Sequence, residues 1–221
     1  MKRIIIAALL ALAGASAGFA QSSKGEAREL IKERKATLKY TEKQLNTKVL
    51  KDAKQQAKVM KKQGWTPAAG TLALEKQLTD VYTKQYAMDG NFPRFILGRA
   101  TAKGSSQGIA RKHAVARARV DVANQMSQEV AALTEMTESN IELSAGEMET
   151  VAKMVESSKL LTQQSLGKTD VVLEAYREVE GGTEVQIIVC YEGKLAVQAL
   201  LESFGDDEAE IKQKLESLLK K

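Results

Sequence analysis

The apolar positions change their spacing along the chain, and each change predicts an element. Ten apolar residues, Ile4 to Ala13, follow Lys2 and Arg3. The small residues Gly14, Ala15, Ser16, Ala17, Gly18 and Ala20 come next. This order of positive, apolar and small residues predicts a secretory signal peptide over 1–20, cut after Ala20 with Gly18 at the minus-three position, or after Ala17. The apolar run is too short to cross roughly 30 Å of hydrocarbon as an anchor.

Residues 23–62 predict one long helix. Ser23 and Glu26 form a capping-box pair at its start, no proline interrupts it, and Gly64 ends it. Its apolar face is thin. Ile31, Leu38 and Leu45 lie seven apart, with Ala27, Val49, Val59 and Met60 roughly in line and Asp52 at the next heptad position. Such a stripe can dock on one surface or one partner helix, but it does not make the centre of a core. Trp65, Thr66 and Pro67 break the pattern. A second helix follows with Leu72, Leu74, Leu78, Val81 and Tyr82 up to about Met88, then a turn at Asp89, Gly90 and Asn91.

Arg94 to Ala102 reads as a strand, apolar on both faces at Phe95, Ile96 and Leu97. Gly98, Gly104 and Gly108 punctuate a loop after it. From Ile109 to about Met136 a third helix carries Ala110, Ala114, Ala118 and Val122 at intervals of four, small enough to let it approach a sheet closely. Ser144 and Glu147 make another capping box, for a helix to about Leu166 through Met148, Val151, Val155 and Leu161. Val171–Val179 and Thr183–Tyr191 form a hairpin about Gly181 and Gly182, which suit a two-residue turn with positive φ. Thr183, Val185, Ile187, Val189 and Tyr191 share one face. Lys194–Phe204 and Asp206–Lys220 read as closing helices divided by Gly205.

The fold class is therefore α+β: a small three-stranded, largely antiparallel sheet packed by an Ala-rich helix, with long helical extensions at both ends. The division is a signal peptide over 1–20, a basic helical arm over 21–64, an α+β domain over 65–204 and a C-terminal helix over 205–221. With 43% hydrophobic residues and only two prolines, the composition supports a real core and a helix-rich chain.

Charge separates the arm from the body. The chain carries +5 overall, but residues 24–63 hold thirteen Lys/Arg against five Asp/Glu, and 64–221 hold eighteen against twenty-three. The basic stretch contains one aromatic, Tyr40, with no interleaved stacking residues, so nucleic acid is not the expected partner. Envelope proteins, a second copy of the chain or an anionic membrane surface are.

Candidate chemistry is sparse. His113 is the only histidine and Cys190 the only cysteine, too few for a triad or a His-rich zinc site. Cys190 lies in the final strand and reads as a buried small hydrophobe. Gly98, Gly104, Ser105 and Ser106 faintly suggest a phosphate loop, but five residues separate the glycines and no lysine follows. A strand–loop–helix can still bind an anion at the helix N-terminus. Asp206, Asp207 and Glu208 suit the start of the last helix, and no spacing singles out a catalytic carboxylate pair.

The run from Gly98 to Met126, GRATAKGSSQGIARKHAVARARVDVANQM, resembles the LPP-twenty family of cell-envelope lipoproteins. The positions that carry the likeness are Gly98, Ala100, Ala110, Ala114, Ala118, Arg119, Ala123 and Gln125. Downstream, QQSLGKTDVVLEAYRE and VQIIVCYE look like the family's segment leading into its hairpin and its last strand. The likeness covers about residues 94–200. It implies an envelope protein of α+β fold without established enzyme activity, some relatives acting in flagellar assembly. The chain departs from the family in lacking the lipidation cysteine and in carrying the long basic helix.

The expectation is an exported, non-enzymatic envelope interaction or assembly protein without a cofactor. It would be periplasmic or outer-membrane-associated and not lipidated. Ile31, Leu38, Leu45, Lys48 and Lys51 are its candidate interaction residues. The alternative is a ligand-binding module with its site at Gly98–Gly108. A hydrolase with an Asp/Glu pair is a third, lesser reading.

Overall fold

Helix α1, Glu42–Lys62, is closed at both ends by local chemistry. Thr41 stands extended before it (φ −68°, ψ 157°). The Thr41 amide donates to Gln44 Oε1 at 3.0 Å, and the Thr41 hydroxyl accepts from the Gln44 amide at 3.4 Å. This is a reciprocal capping box. At the other end Gly64 takes φ +84°. Its amide donates to Lys61 O at 3.1 Å, and the Trp65 amide donates to Met60 O at 3.0 Å. That pair of bonds is a Schellman stop, which needs a left-handed residue that glycine adopts without strain.

The computed structural model describes residues 30–32, 40–89, 92–138, 168–196 and 198. After α1 come β1 (Thr66–Pro67), α2 (Leu74–Gln85), β2 (Met88–Asp89), β3 (Phe92–Pro93), β4 (Phe95–Gly104), α3 (Gln107–Glu138), β5 (Asp170–Val179) and β6 (Gly182–Glu192). One sheet runs β1-β5-β6-β4, antiparallel throughout; β2 and β3 pair separately on either side of residues 90–91. The fold is α+β, as the spacing predicts. Ala110, Ala114, Ala118 and Val122 are fully buried against the sheet.

The sheet is covered on both faces. Val185, Ile187, Val189 and Tyr191 of β6, with Ile96 and Ala102 of β4, pack against α3. Ile188, Cys190, Leu97, Leu173 and Ala175 point the other way, onto α1 and α2. Alternation along a strand sends successive side chains to opposite faces. Because β6 buries apolar side chains on both faces from Ile187 to Tyr191, it is the central strand of a three-layer packing.

Several expectations need correction. The helix over 23–62 is not continuous: Thr41 is a cap and α1 starts at Glu42. Nor is α1 an arm beside the body. Val49, Ala53, Ala57 and Met60 are buried in the same cluster as Leu74, Leu78, Leu173 and Ile188. The packing stripe steps by four through alanines rather than by seven through leucines. Leu72 lies before α2 and is exposed, and α2 ends at Gln85. The sheet has a fourth, two-residue strand, β1. In the hairpin Val179 pairs with Gly182, so the turn residues are Glu180 and Gly181, one step earlier than expected. Gly182, at φ +145°, is instead where the hairpin passes tightly over the Gly104 carbonyl. The segment 1–20, the Ser23–Glu26 and Ser144–Glu147 boxes with the helix to Leu166, and the helices after residue 198 lie outside the described residues. So does Leu38.

Candidate functional site

The glycines expected to open a ligand loop serve packing. Gly98 sits in the middle of β4, paired with Val189 rather than in a loop. A Cβ there would run into Ala118 O and lie 2.6 Å from Val122 Cγ2 and 2.9 Å from the Val122 amide. Gly104 ends the same strand, and a Cβ on it would stand 2.6 Å from the Ala110 amide. Both glycines let α3 lie close on β4. Ser106 accepts from the Ile109 amide at 3.4 Å, capping the first turn of α3, and Ser105 is exposed.

A polar cluster that sequence reasoning missed lies beside this crossing. β4 is an edge strand in the sheet order. Its outward Arg99 amide donates to Asp121 Oδ2 of α3 at 2.8 Å, and Arg117 of α3 reaches the Thr101 carbonyl at 3.4 Å. Side chains from the covering helix thus occupy backbone groups that would otherwise invite another strand. The Arg99 guanidinium folds back to Gln85 Oε1 of α2 at 3.0 Å, while its Nε is buried without a hydrogen bond. Burial lowers the Arg99 pKa, with Asp121 and Tyr82 working against it; burial raises that of Asp121 despite its bond to the Arg99 amide. Tyr82 is pushed up to about 12, first by burial and then by the Asp52 carboxylate. Only proximity in the fold joins Arg99 to Asp121, 22 positions apart, so no local pattern announces them.

Of the candidate interaction residues, Ile31 is helical and half-buried, Leu45 is half-buried and Lys51 is exposed. Lys48 faces inward. Its ammonium donates to Asp52 Oδ2 at 2.8 Å and to the Tyr86 hydroxyl at 2.7 Å. Burial pulls its pKa down, but the bonds to Asp52 and Tyr86 outweigh burial and the net shift is upward. Lys48 therefore ties α1 to α2 instead of facing a partner.

What α1 does turn outward is one charge type. Lys43, Lys51, Lys54, Lys58, Lys61 and Lys62 are all exposed, and among the described residues none is ion-paired. At 3.6 residues per turn they fall within a sector of roughly 100°, on the side away from Val49, Ala53, Ala57 and Met60.

A shallow open hollow of about 280 Å³ lies between Leu72, Gln77, Asp80 and the start of β5 at Val171 and Val172. Gln77 seals its floor by accepting from the Glu174 amide at 2.8 Å and donating to Thr71 Oγ1 at 3.0 Å. Cys190 is buried, and burial pushes its thiol up to about 11, which keeps it protonated and unreactive at neutral pH. His113 is exposed on α3. Among the described residues no three His, Cys, Asp or Glu side chains converge as metal ligands, and no helix is long and apolar enough to cross a membrane. No protein-family model, curated protein or solved structure matches the chain.

Proposed function

We propose that this is an exported, non-enzymatic protein of the cell envelope that works by interaction, with α1 as its contact element. One observation carries the reading: six unpaired lysines stand on one side of a helix whose other side is anchored in the core. A solvated helix normally mixes both charge signs, whereas a single-sign row creates a field that steers an oppositely charged partner. Residues 1–20 supply the export element, and the likeness of residues 94–200 to the LPP-twenty family supports an envelope setting. An interaction role also fits a surface whose described hollow is shallow and whose only thiol is buried.

Cell fractionation combined with photocrosslinking from position 58 tests the reading. The expected result is a periplasmic chain beginning at Gln21 that forms adducts with envelope components. A chain that keeps residues 1–20 and stays in the cytoplasm overturns it.

A further inference from the structure

We infer that the lysine side of α1 docks on the phosphate headgroups of an anionic lipid bilayer, with Leu50 entering the interface. The inference rests on the interaction reading above and names its partner. Lys43 and Lys62 mark a row about 28 Å long at 1.5 Å rise per residue. The side of a helix is convex, so the row has no concavity for a compact ligand. It matches an extended, flat array of charge.

The residue types narrow the array further. Every basic residue of α1 is lysine. Arginine's fixed fork suits a carboxylate or phosphate held in one geometry, whereas lysine is a point charge on a pliant stem. Point charges suit headgroups that move laterally to meet them. The acids of α1 leave the row clear. Asp52 is turned inward to Lys48, and Glu42 sits in the first turn, where it favours the helix dipole.

Leu50 is the second observation. It is 59% exposed in the middle of α1, one residue from Lys51 and one turn from Lys54. Tyr40, 44% exposed, precedes the cap at Thr41. An exposed apolar side chain flanking the lysine row, about 20° around the helix from Lys43 and Lys61 at about 100° per residue, with a tyrosine near the end of the row, is the composition of a surface that sits at a headgroup boundary. A soluble polyanion has no apolar layer to receive Leu50.

The test uses the chain recovered after export and sedimentation with two vesicle types, phosphatidylcholine alone and phosphatidylcholine mixed with phosphatidylglycerol. Binding is expected to the mixed vesicles only, and to vanish at about 1 M salt, where the screening length falls to about 3 Å. Each lysine near an anionic surface contributes about a fivefold gain, so Lys54→Gln, Lys58→Gln and Lys61→Gln together should weaken binding about 100-fold. All three are exposed, so the unfolding curve of the triple variant should overlay that of the parent. Leu50→Ser should weaken binding without changing its salt dependence. Equal binding to both vesicle types, no binding to either, or undiminished binding by the triple variant overturns the inference. If vesicles are ignored while position 58 crosslinks to an envelope protein, the lipid inference falls and the interaction reading stands. Cytoplasmic retention removes the reading itself.

Discussion

Gly98→Ala asks whether the close crossing of α3 over β4 holds the body together. The added methyl would meet the Ala118 carbonyl and would sit 2.6 Å from Val122 Cγ2 and 2.9 Å from the Val122 amide. Ordinary contact between carbon atoms is about 3.5–4.0 Å, so the helix must lift by about 1 Å. Two of the three obstacles are helix backbone, which no rotamer change can move aside. A lift of that size opens the seam along Ala110, Ala114, Ala118 and Val122, all fully buried, and gaps of 0.5–1 Å forfeit roughly a quarter to a half of each dispersion contact. Overpacking of this kind costs about 1–3 kcal/mol, and the backbone obstacles place Gly98 at the upper end. Alanine restricts the unfolded chain and returns about 0.4–1 kcal/mol. The net expectation is a loss of about 2 kcal/mol. Urea unfolding followed by Trp65, the only tryptophan, measures it. The midpoint should fall at unchanged slope, which is the signature of lost stability rather than a changed denatured state. Gly108→Ala is the control, since nothing lies within 4 Å of its added methyl and alanine is the better helix former. A Gly98→Ala loss under about 0.5 kcal/mol, or equal effects of the two substitutions, refutes the close-crossing argument.

Ala53→Asp should destabilise the body by about 3 kcal/mol or more, because it places an unpaired charge in the α1–sheet contact; a projecting arm would leave the unfolding midpoint unmoved. Asp121→Ala strands the Arg99 amide and should cost about 1–2 kcal/mol by the same assay. The Asp121 carboxyl has a raised pKa in the folded state, so folding binds a proton and the parent loses stability as pH rises from the ordinary aspartate value through the raised one. The stability of Asp121→Asn minus that of the parent should therefore grow across that window and level off above it; a flat difference contradicts the burial of the carboxylate. Cys190 should resist alkylation in the native state at pH 8 and react once urea unfolds the chain, with mass spectrometry as the readout.

The elements legible in the sequence are those whose residues bury area at a regular period. β6 alternates Thr183, Val185, Ile187, Val189 and Tyr191 on one face, and α3 repeats Ala110, Ala114, Ala118 and Val122, so both can be read without a structure. α1 uses the device of α3, with alanines at 53 and 57 between Val49 and Met60, but there the larger side chains of Ile31, Leu38 and Leu45 suggest a different stripe. Alanine contributes by letting backbones come close rather than by the area it hides, so a count of large apolar residues passes over it. The Thr41–Gln44 box was also present in the sequence, and it divides the very segment that the seven-residue spacing joins. The Arg99–Asp121 contact leaves no local trace, because its partners meet only when α3 crosses an edge strand.

The alanine packing of α1 also decides what its other side can do. A helix held by Val49, Ala53, Ala57 and Met60, stopped by the Gly64 turn and braced by Lys48 on Tyr86, has one rotation about its axis. Arg177 secures its end, donating to the Gln63 carbonyl at 3.2 Å while stacking 4.5 Å from the Trp65 ring. With the rotation fixed, the lysine side faces solvent as one row, and the order that makes it a surface is supplied by the core beneath it.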